Sequence, residues 1–224
     1  MNDYLNFIAG CNMADELFWA EVGVKAAFAG FLICMGLLAI RNSRQKEQEQ
    51  RYFLVGIAVF AFMSSLTRIF FLITDFQVEF SGIYDLFWRL ATIASLAALI
   101  LIAILIETYF VKTRYIFTVI AALGVVVIIF ADIALARQLL MPFYLIIGVE
   151  IFSLYVYVAI KSPGTIRTKA LLMIVSLFVF TLGIILDAES IMQPLVGFDI
   201  GIIGAICMWI GLGLYLKLNL QELK

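Results

Sequence analysis

Long apolar stretches alternate with short polar gaps along almost the whole chain of 224 residues. Because a transmembrane helix needs about 20 mostly apolar residues, the pattern predicts seven spans within a single membrane domain, residues 1–224. The predicted spans are residues 18–40, 51–74, 84–110, 114–136, 141–160, 166–187 and 199–217. Short gaps make neighbouring spans pack antiparallel. The predicted fold is therefore an all-α, seven-transmembrane-helix bundle.

Basic residues fall mainly in every second gap. Eleven of the 15 Lys and Arg residues lie in or beside the first, third and fifth gaps or near the C-terminus. They are Arg41, Arg44, Lys46, Arg51, Lys112, Arg114, Lys161, Arg167, Lys169, Lys217 and Lys224. The charged residues of the other gaps are Arg137 and otherwise acids. By the positive-inside rule, the N-terminus is outside and the C-terminus is cytoplasmic, in a multi-pass protein of the cell membrane.

The composition supports a lipid environment and argues against several kinds of chemistry. Hydrophobic residues make up 65% of the chain, whereas soluble domains average about 45–50%. The spans leave no room for a soluble catalytic or nucleic-acid-binding domain. The sequence has no histidine, no cysteine pair at metal-binding spacing and no phosphate-binding glycine loop. We therefore expect no bound metal, no cofactor, no nucleic-acid partner and no enzymatic activity.

Charged side chains are concentrated in the predicted outer half of the bundle. Glu21 and Lys25 are four residues apart on the first span, as are Asp85 and Arg89 on the third, so each pair shares a helix face. Counted from the inner ends of their spans, Lys25 and Arg68 lie at similar depth. The complete set is Glu21, Lys25, Arg68, Asp85, Arg89, Asp132 and Asp187.

Two interpretations of this outer set remain open. In the first, its members form interhelical ion pairs and interfacial charges, which would lower the cost of placing charge in a bilayer. In the second, they line an outward-facing polar pocket in which Lys25 and Arg68 bind a small anionic ligand.

Glu150 is an acidic residue near the predicted midplane of the fifth span, between Val149 and Ile151. Desolvation there favours a neutral carboxylic acid that faces the bundle and hydrogen-bonds to a neighbouring helix. Side chains that could provide this bond are Ser64, Ser65, Thr92, Ser95, Ser176 and Thr181. Glu150 is therefore either a structural acid or a site for a proton or cation.

Small residues and aromatic residues also follow the predicted helices. Small residues follow closely on one another in the seventh span and just before it, and this spacing predicts close helix packing. They are Gly197, Gly201, Gly204, Ala205, Gly211 and Gly213. Aromatic residues near the span ends predict interfacial positions. They are Tyr52, Tyr109, Tyr115 and Tyr215 at the inner border, and Trp19, Tyr84, Trp88 and Tyr144 at the outer border.

The segment from Asp85-Leu86-Phe87-Trp88-Arg89 through Glu107 has an aromatic outer end, an apolar middle and an acidic inner end. In this it resembles the third helix of the seven-helix sensor modules fused to bacterial and archaeal histidine kinases. The plan of seven spans with an outer N-terminus also resembles that of microbial rhodopsins. Those proteins bind retinal through a mid-membrane lysine in the seventh helix, whereas Lys217 lies at the cytoplasmic end here. The resemblance therefore implies a sensor that does not bind retinal.

These observations favour a receptor or sensor with an outward-facing polar pocket, which signals through a membrane or cytoplasmic protein partner. One alternative is a small ion-coupled transporter or channel that uses Glu150. The other is a non-catalytic membrane subunit of a larger complex. A continuous polar path past Glu150 would favour transport, whereas an apolar groove filled by another chain would favour the subunit.

The predicted orientation is tested by labelling single cysteines in a chain whose Cys11, Cys34 and Cys207 are replaced. A membrane-impermeant maleimide is expected to label a cysteine at Gln48 only from the cytoplasmic side, and at Gln77 only from outside. The reverse pattern would overturn the orientation.

Overall fold

Seven α-helices make up the secondary structure of the described part of the chain. The computed structural model describes residues 2–76, 82–109, 115–187 and 201–220. The helices are α1 (Asn2–Ser43), α2 (Gln48–Thr74), α3 (Gly82–Tyr109), α4 (Ile116–Phe130), α5 (Ile133–Lys161), α6 (Gly164–Asp187) and α7 (Gly201–Leu220). The protein is thus all-helical over these residues, as its apolar pattern predicts.

Six of the described helices are long and apolar enough to cross a membrane, and the protein is accordingly a multi-pass membrane protein. The exception is α4, which has 15 residues. At 1.5 Å per residue it is about 22 Å long, whereas the hydrocarbon core of a bilayer is about 30 Å thick. The number of spans and their orientation stay predictions.

The helices pack in the order of the chain, and the last helix returns to the first. Each helix contacts the next one, and α7 packs against α6 and also against α1. α3 further contacts α5, and α2 contacts α7. Fully buried apolar side chains from several helices fill the centre, among them Leu32 of α1, Ile57 of α2, Ile147 of α5 and Met208 of α7. Dispersion contacts of this kind, rather than a hydrophobic effect, drive helix packing inside a bilayer.

The closest backbone approach joins α6 and α7 through glycine. A Cβ atom added to Gly211 would lie 2.7 Å from the Cα of Phe180 and 2.7 Å from the carbonyl oxygen of Ser176. A Cβ on Gly183 would lie 2.7 Å from the carbonyl oxygen of Gly204. Real Cβ contacts of this length do not occur, so these helices touch because both glycines lack a side chain. The small residues of α7 thus serve helix packing.

The turn between α4 and α5 comes earlier than the gap that the sequence predicts around residues 137–140. α4 ends at Phe130, and α5 begins at Ile133. Arg137 therefore lies inside α5, where its guanidinium sits 5.4 Å from the ring centre of Tyr84 and 5.5 Å from that of Trp88. Arg137 also donates a 2.7 Å hydrogen bond to the Tyr84 hydroxyl. The aromatic rings of α3 thus stabilise the Arg137 guanidinium within a helix, whereas the sequence pattern assigns this residue to a loop.

The aromatic residues predicted at the borders differ in their exposure. Trp19, Tyr52 and Tyr115 are at least half exposed, as interfacial side chains are. Trp88 and Tyr215 are buried, with 8% and 3% of their surface exposed. Both rings pack between helices, where their polar atoms can find partners inside the bundle. Their level relative to the membrane interface stays a prediction.

Replacing Gly211 by Leu is expected to force α6 and α7 apart and lower the stability of the purified protein. Overpacking at a tight contact costs about 1–3 kcal/mol. The matched control is Gly148→Leu in α5, because a Cβ there meets nothing within 4 Å. Thermal unfolding in detergent measures both variants. Equal unfolding temperatures would contradict the close α6–α7 contact.

Candidate functional site

Lys25 joins α1 to α2 at the end of the bundle where α1 enters its apolar segment. Its ammonium nitrogen lies 2.5 Å from Oε1 of Glu21 and 3.1 Å from Oδ2 of Asp75. The Lys25 and Glu21 side chains are only 15% and 10% exposed. Sequence reasoning paired Glu21 with Lys25 but placed Asp75 in a loop. Its position just after the C-terminal end of the antiparallel neighbour α2 could have indicated this partnership.

Arg68 lies on an aromatic surface further along α2. Its guanidinium carbon is 5.7 Å from the ring centre of Phe28, a fully buried residue of α1. Arg68 thus lies between α2 and α1, against a buried aromatic ring. The aromatic ring offsets part of the cost of burying its charge.

Arg89 does not pair with Asp85, although the two are one helical turn apart. Its guanidinium instead donates hydrogen bonds to the carbonyl oxygens of Ile128 and Ala131, the second at 2.8 Å. These carbonyls belong to the C-terminal end of α4, where intrahelical donors are missing. Asp85 lies in the first turn of α3, and its buried Oδ1 has no hydrogen-bond partner among the described residues. The positive end of the α3 dipole favours an anion there.

The last two residues of the predicted outer set lie at helix ends. Asp132 occupies the N-cap position of α5 with an extended backbone, but its side chain makes no capping hydrogen bond. Asp187 ends α6, and its side chain lies outside the described residues. The structure therefore joins Glu21 with Lys25 and directs Arg89 to α4.

Glu107 of α3 binds the N-terminal end of α4, a role that sequence reasoning missed. Its Oε1 accepts a hydrogen bond from the backbone nitrogen of Phe117 at 3.2 Å. Its Oε2 accepts bonds from the backbone nitrogen of Thr118 at 3.3 Å and from the Thr118 hydroxyl at 2.5 Å. The residue before α4, Tyr115, makes no side-chain cap. The available signal was that α4 begins with apolar residues and no capping side chain, opposite the buried acid Glu107.

The two ends of α4 are therefore held by opposite charges from one neighbouring helix, α3. The carboxylate of Glu107, which is 4% exposed, lies at the positive end of the α4 dipole. The guanidinium of Arg89 lies at the negative end. Both placements are favourable, and each also satisfies backbone groups that have no partner within α4. We call Glu107 and Arg89 together the α3 clamp.

Glu150 lies on α5 within electrostatic range of Glu107. Its Oε2 is buried and has no hydrogen-bond partner among the described residues. Hydroxyls proposed from the sequence as partners donate elsewhere, as Thr92 does to the Trp88 carbonyl and Ser176 to the Met173 carbonyl. Glu150 thus has a buried acceptor without a described partner, on a helix that packs against both α3 and α4.

The side chains around Glu150 on its own helix are apolar. Ile147, Ile151 and Leu154 are all buried, and all belong to the central cluster. Ser153, three residues further along α5, is exposed, and Glu150 itself is half-buried. The buried neighbours of Glu150 on α5 are therefore apolar.

A second polar contact links α5 to α7. The hydroxyls of Tyr155 and Tyr215 are 2.9 Å apart, and Asn219 lies close to both. The amide nitrogen of Asn219 also donates to the Tyr215 carbonyl oxygen at 2.9 Å. Sequence reasoning assigned Tyr215 to the membrane interface and missed this cluster. The spacing of Tyr215 and Asn219, one helical turn apart, was the available signal.

Comparison with known proteins gives no relative from which to transfer a function. The sequence matches no protein-family model and no curated protein, and the structure matches no solved structure. Among the described residues, no group of three metal-ligating side chains forms a metal site.

Replacing Glu107 by Ala is expected to free the start of α4 and destabilise the protein. Removing a helix cap costs up to about 2 kcal/mol, and here two backbone N–H groups lose their partner. The matched control is Glu47→Ala, because Glu47 is the N-cap residue of α2, is exposed and makes no capping hydrogen bond. Thermal unfolding in detergent should separate the two variants by several degrees. Equal stability would mean that Glu107 does not hold α4.

Proposed function

We propose that this protein is a sensor-like membrane protein without enzymatic activity, in which a proton or cation at Glu150 changes how α3 holds α4. The observation that carries the proposal is the position of Glu107. This residue caps α4 through three hydrogen bonds, and α5, which carries Glu150, packs against both α3 and α4. A change of charge at Glu150 therefore acts directly on the residue that holds α4.

The physical coupling is electrostatic. Negative charge on Glu150 disfavours a second negative charge on Glu107, and a proton or cation at Glu150 removes this repulsion. An ionised Glu107 is the stronger acceptor for the amides of Phe117 and Thr118. Binding of a proton or cation at Glu150 should therefore strengthen the hydrogen bonds from α4 to Glu107. Release of that proton or cation should weaken them. A helix with two alternative positions is the kind of element through which a local charge change produces a signal.

The outer charges are less suited to the sensing role than the Glu107–Glu150 region. Lys25 already has two carboxylate partners, and Arg89 is bound to α4. A small anionic ligand at the outer pocket would have to compete with these internal partners. The output of the proposed sensor passes to a partner protein, as in the kinase-linked sensor modules that α3 resembles in pattern.

Ion-coupled transport is the second candidate function, and the buried, unpartnered Oε2 of Glu150 favours it. Transport requires that an ion enter from one side and leave from the other. Ile147, Ile151 and Leu154 are apolar on both sides of Glu150, which favours a site that binds without conducting.

The sensing proposal is tested by measuring the movement of α4 with spin labels. One label replaces Tyr52 on α2 and the other Val119 on α4, two exposed positions, in a background without native cysteines. The distance distribution is expected to differ between mildly acidic and mildly alkaline buffer, or on addition of sodium. A reference pair at Tyr52 and Leu171 of α6 should not change.

Glu150→Gln should abolish this response, since glutamine keeps the shape but cannot exchange a proton, whereas the exposed Glu47→Gln should leave it intact. A response that persists in Glu150→Gln, or no response in the unmodified chain, would overturn the proposal. In proteoliposomes, an ion flux lost with Glu150→Gln would instead establish transport.

A further inference from the structure

An apolar groove runs along the outside of the bundle between α1 and α7. It has a volume of about 440 Å³ and is lined by Phe31 and Met35 from α1 and by Trp209, Ile210 and Leu214 from α7. Lys217 is the one charged residue in its lining. The groove therefore combines a long apolar surface with a single positive charge.

The packing of α1 on α7 places this charge at one end of the groove. The Phe31 ring is 5.8 Å from the Trp209 ring and also contacts the backbone at Gly213, where a Cβ would lie 3.1 Å away. Lys217 follows Gly213 by one helical turn and is exposed. At 1.5 Å per residue, it lies about 12 Å beyond Trp209 along α7. The wall is thus apolar around Trp209 and ends in a cation toward the C-terminal end of α7.

We propose that this groove binds an anionic phospholipid, with one acyl chain along Trp209 and Ile210 and the headgroup phosphate at Lys217. The lipid matches the site in both parts: its hydrocarbon chain fits the apolar wall, and its negative headgroup fits the cation at the end. A long lysine side chain can extend along the groove to reach a headgroup at the membrane surface. The proposal is independent of the sensing role of Glu150.

The lining of the groove favours a lipid chain over a partner helix. Its wall is apolar, and its one charged residue, Lys217, lies toward one end. A single flexible hydrocarbon chain can follow such a wall while an anionic headgroup meets the cation.

Brominated lipids test the proposal, because bromine on an acyl chain quenches the fluorescence of a nearby tryptophan. The protein is reconstituted in dioleoylphosphatidylcholine vesicles that contain a minor fraction of brominated phosphatidylglycerol or, in parallel, of brominated phosphatidylcholine. The chain has three tryptophans, and subtracting the emission of a Trp209→Phe variant isolates Trp209. We expect Trp209 to be quenched as if phosphatidylglycerol were enriched about fivefold, the factor that corresponds to about 1 kcal/mol for one basic residue near a membrane surface.

Substitutions at Lys217 assign this preference to the proposed headgroup site. Lys217→Gln should remove the preference for phosphatidylglycerol, and Lys217→Arg should keep it. Lys161→Gln is the matched control, because Lys161 is also an exposed cation in the last turn of a helix but lies on α5, away from the groove. It should leave the preference unchanged.

Three results would overturn the proposal. Equal quenching of Trp209 by the two brominated lipids would mean that the groove does not select a charged headgroup. A preference that survives in Lys217→Gln would place the selectivity elsewhere. Absence of quenching by either lipid would mean that protein, such as a second copy of this chain, covers the groove.

Discussion

Backbone groups at a helix end need hydrogen-bond partners, and a bilayer core supplies none. This constraint applies to α4, which has 15 residues and is the shortest of the described helices. The α3 clamp meets it with one side chain at each end: Glu107 accepts from the first amides, and Arg89 donates to the last carbonyls. The charged side chains of Glu107 and Arg89 thus lie where backbone groups at the ends of α4 would otherwise have no hydrogen-bond partner.

Different interactions hold α6 to α7 and α3 to α4. α6 and α7 meet through Gly183 and Gly211, where backbones touch and no side chain can adjust without separating the helices. α3 and α4 are joined at both ends by hydrogen bonds to single charged groups, whose strength depends on their ionisation. Glu150 lies on α5, which packs against both of these helices. A charge-driven switch requires one fixed contact, here between α6 and α7, and one contact that depends on ionisation, here between α3 and α4. For this reason we place the proposed sensing site at α4.

The apolar pattern predicts the helical membrane architecture because bilayer thickness fixes the length of the stretches that cross it. It places the α4–α5 turn too late, because Arg137 and Pro142 are typical of loops, yet the rings of Tyr84 and Trp88 stabilise the arginine within α5. Spacing brings Glu21 and Lys25 together, since both lie on one helix face. It does not assign Asp75, Glu107 or the targets of Arg89 to partners. These contacts join different helices, and the local signals at Asp75 and before α4 do not give the relative height and rotation of the helices. The periodicity of apolar residues therefore predicts the individual helices. Contacts between side chains of different helices can be read only from the three-dimensional arrangement.

The most direct test of the α3 clamp is residue-resolved amide hydrogen exchange at Phe117 and Thr118 in lipid nanodiscs. Amides in the first turn of a helix normally lack a partner and exchange fast when they are accessible. Our account predicts that these two amides are as protected as those in the middle of α4, and that Glu107→Ala exposes them while mid-helix protection is kept. Fast exchange of both amides in the unmodified protein would contradict the account.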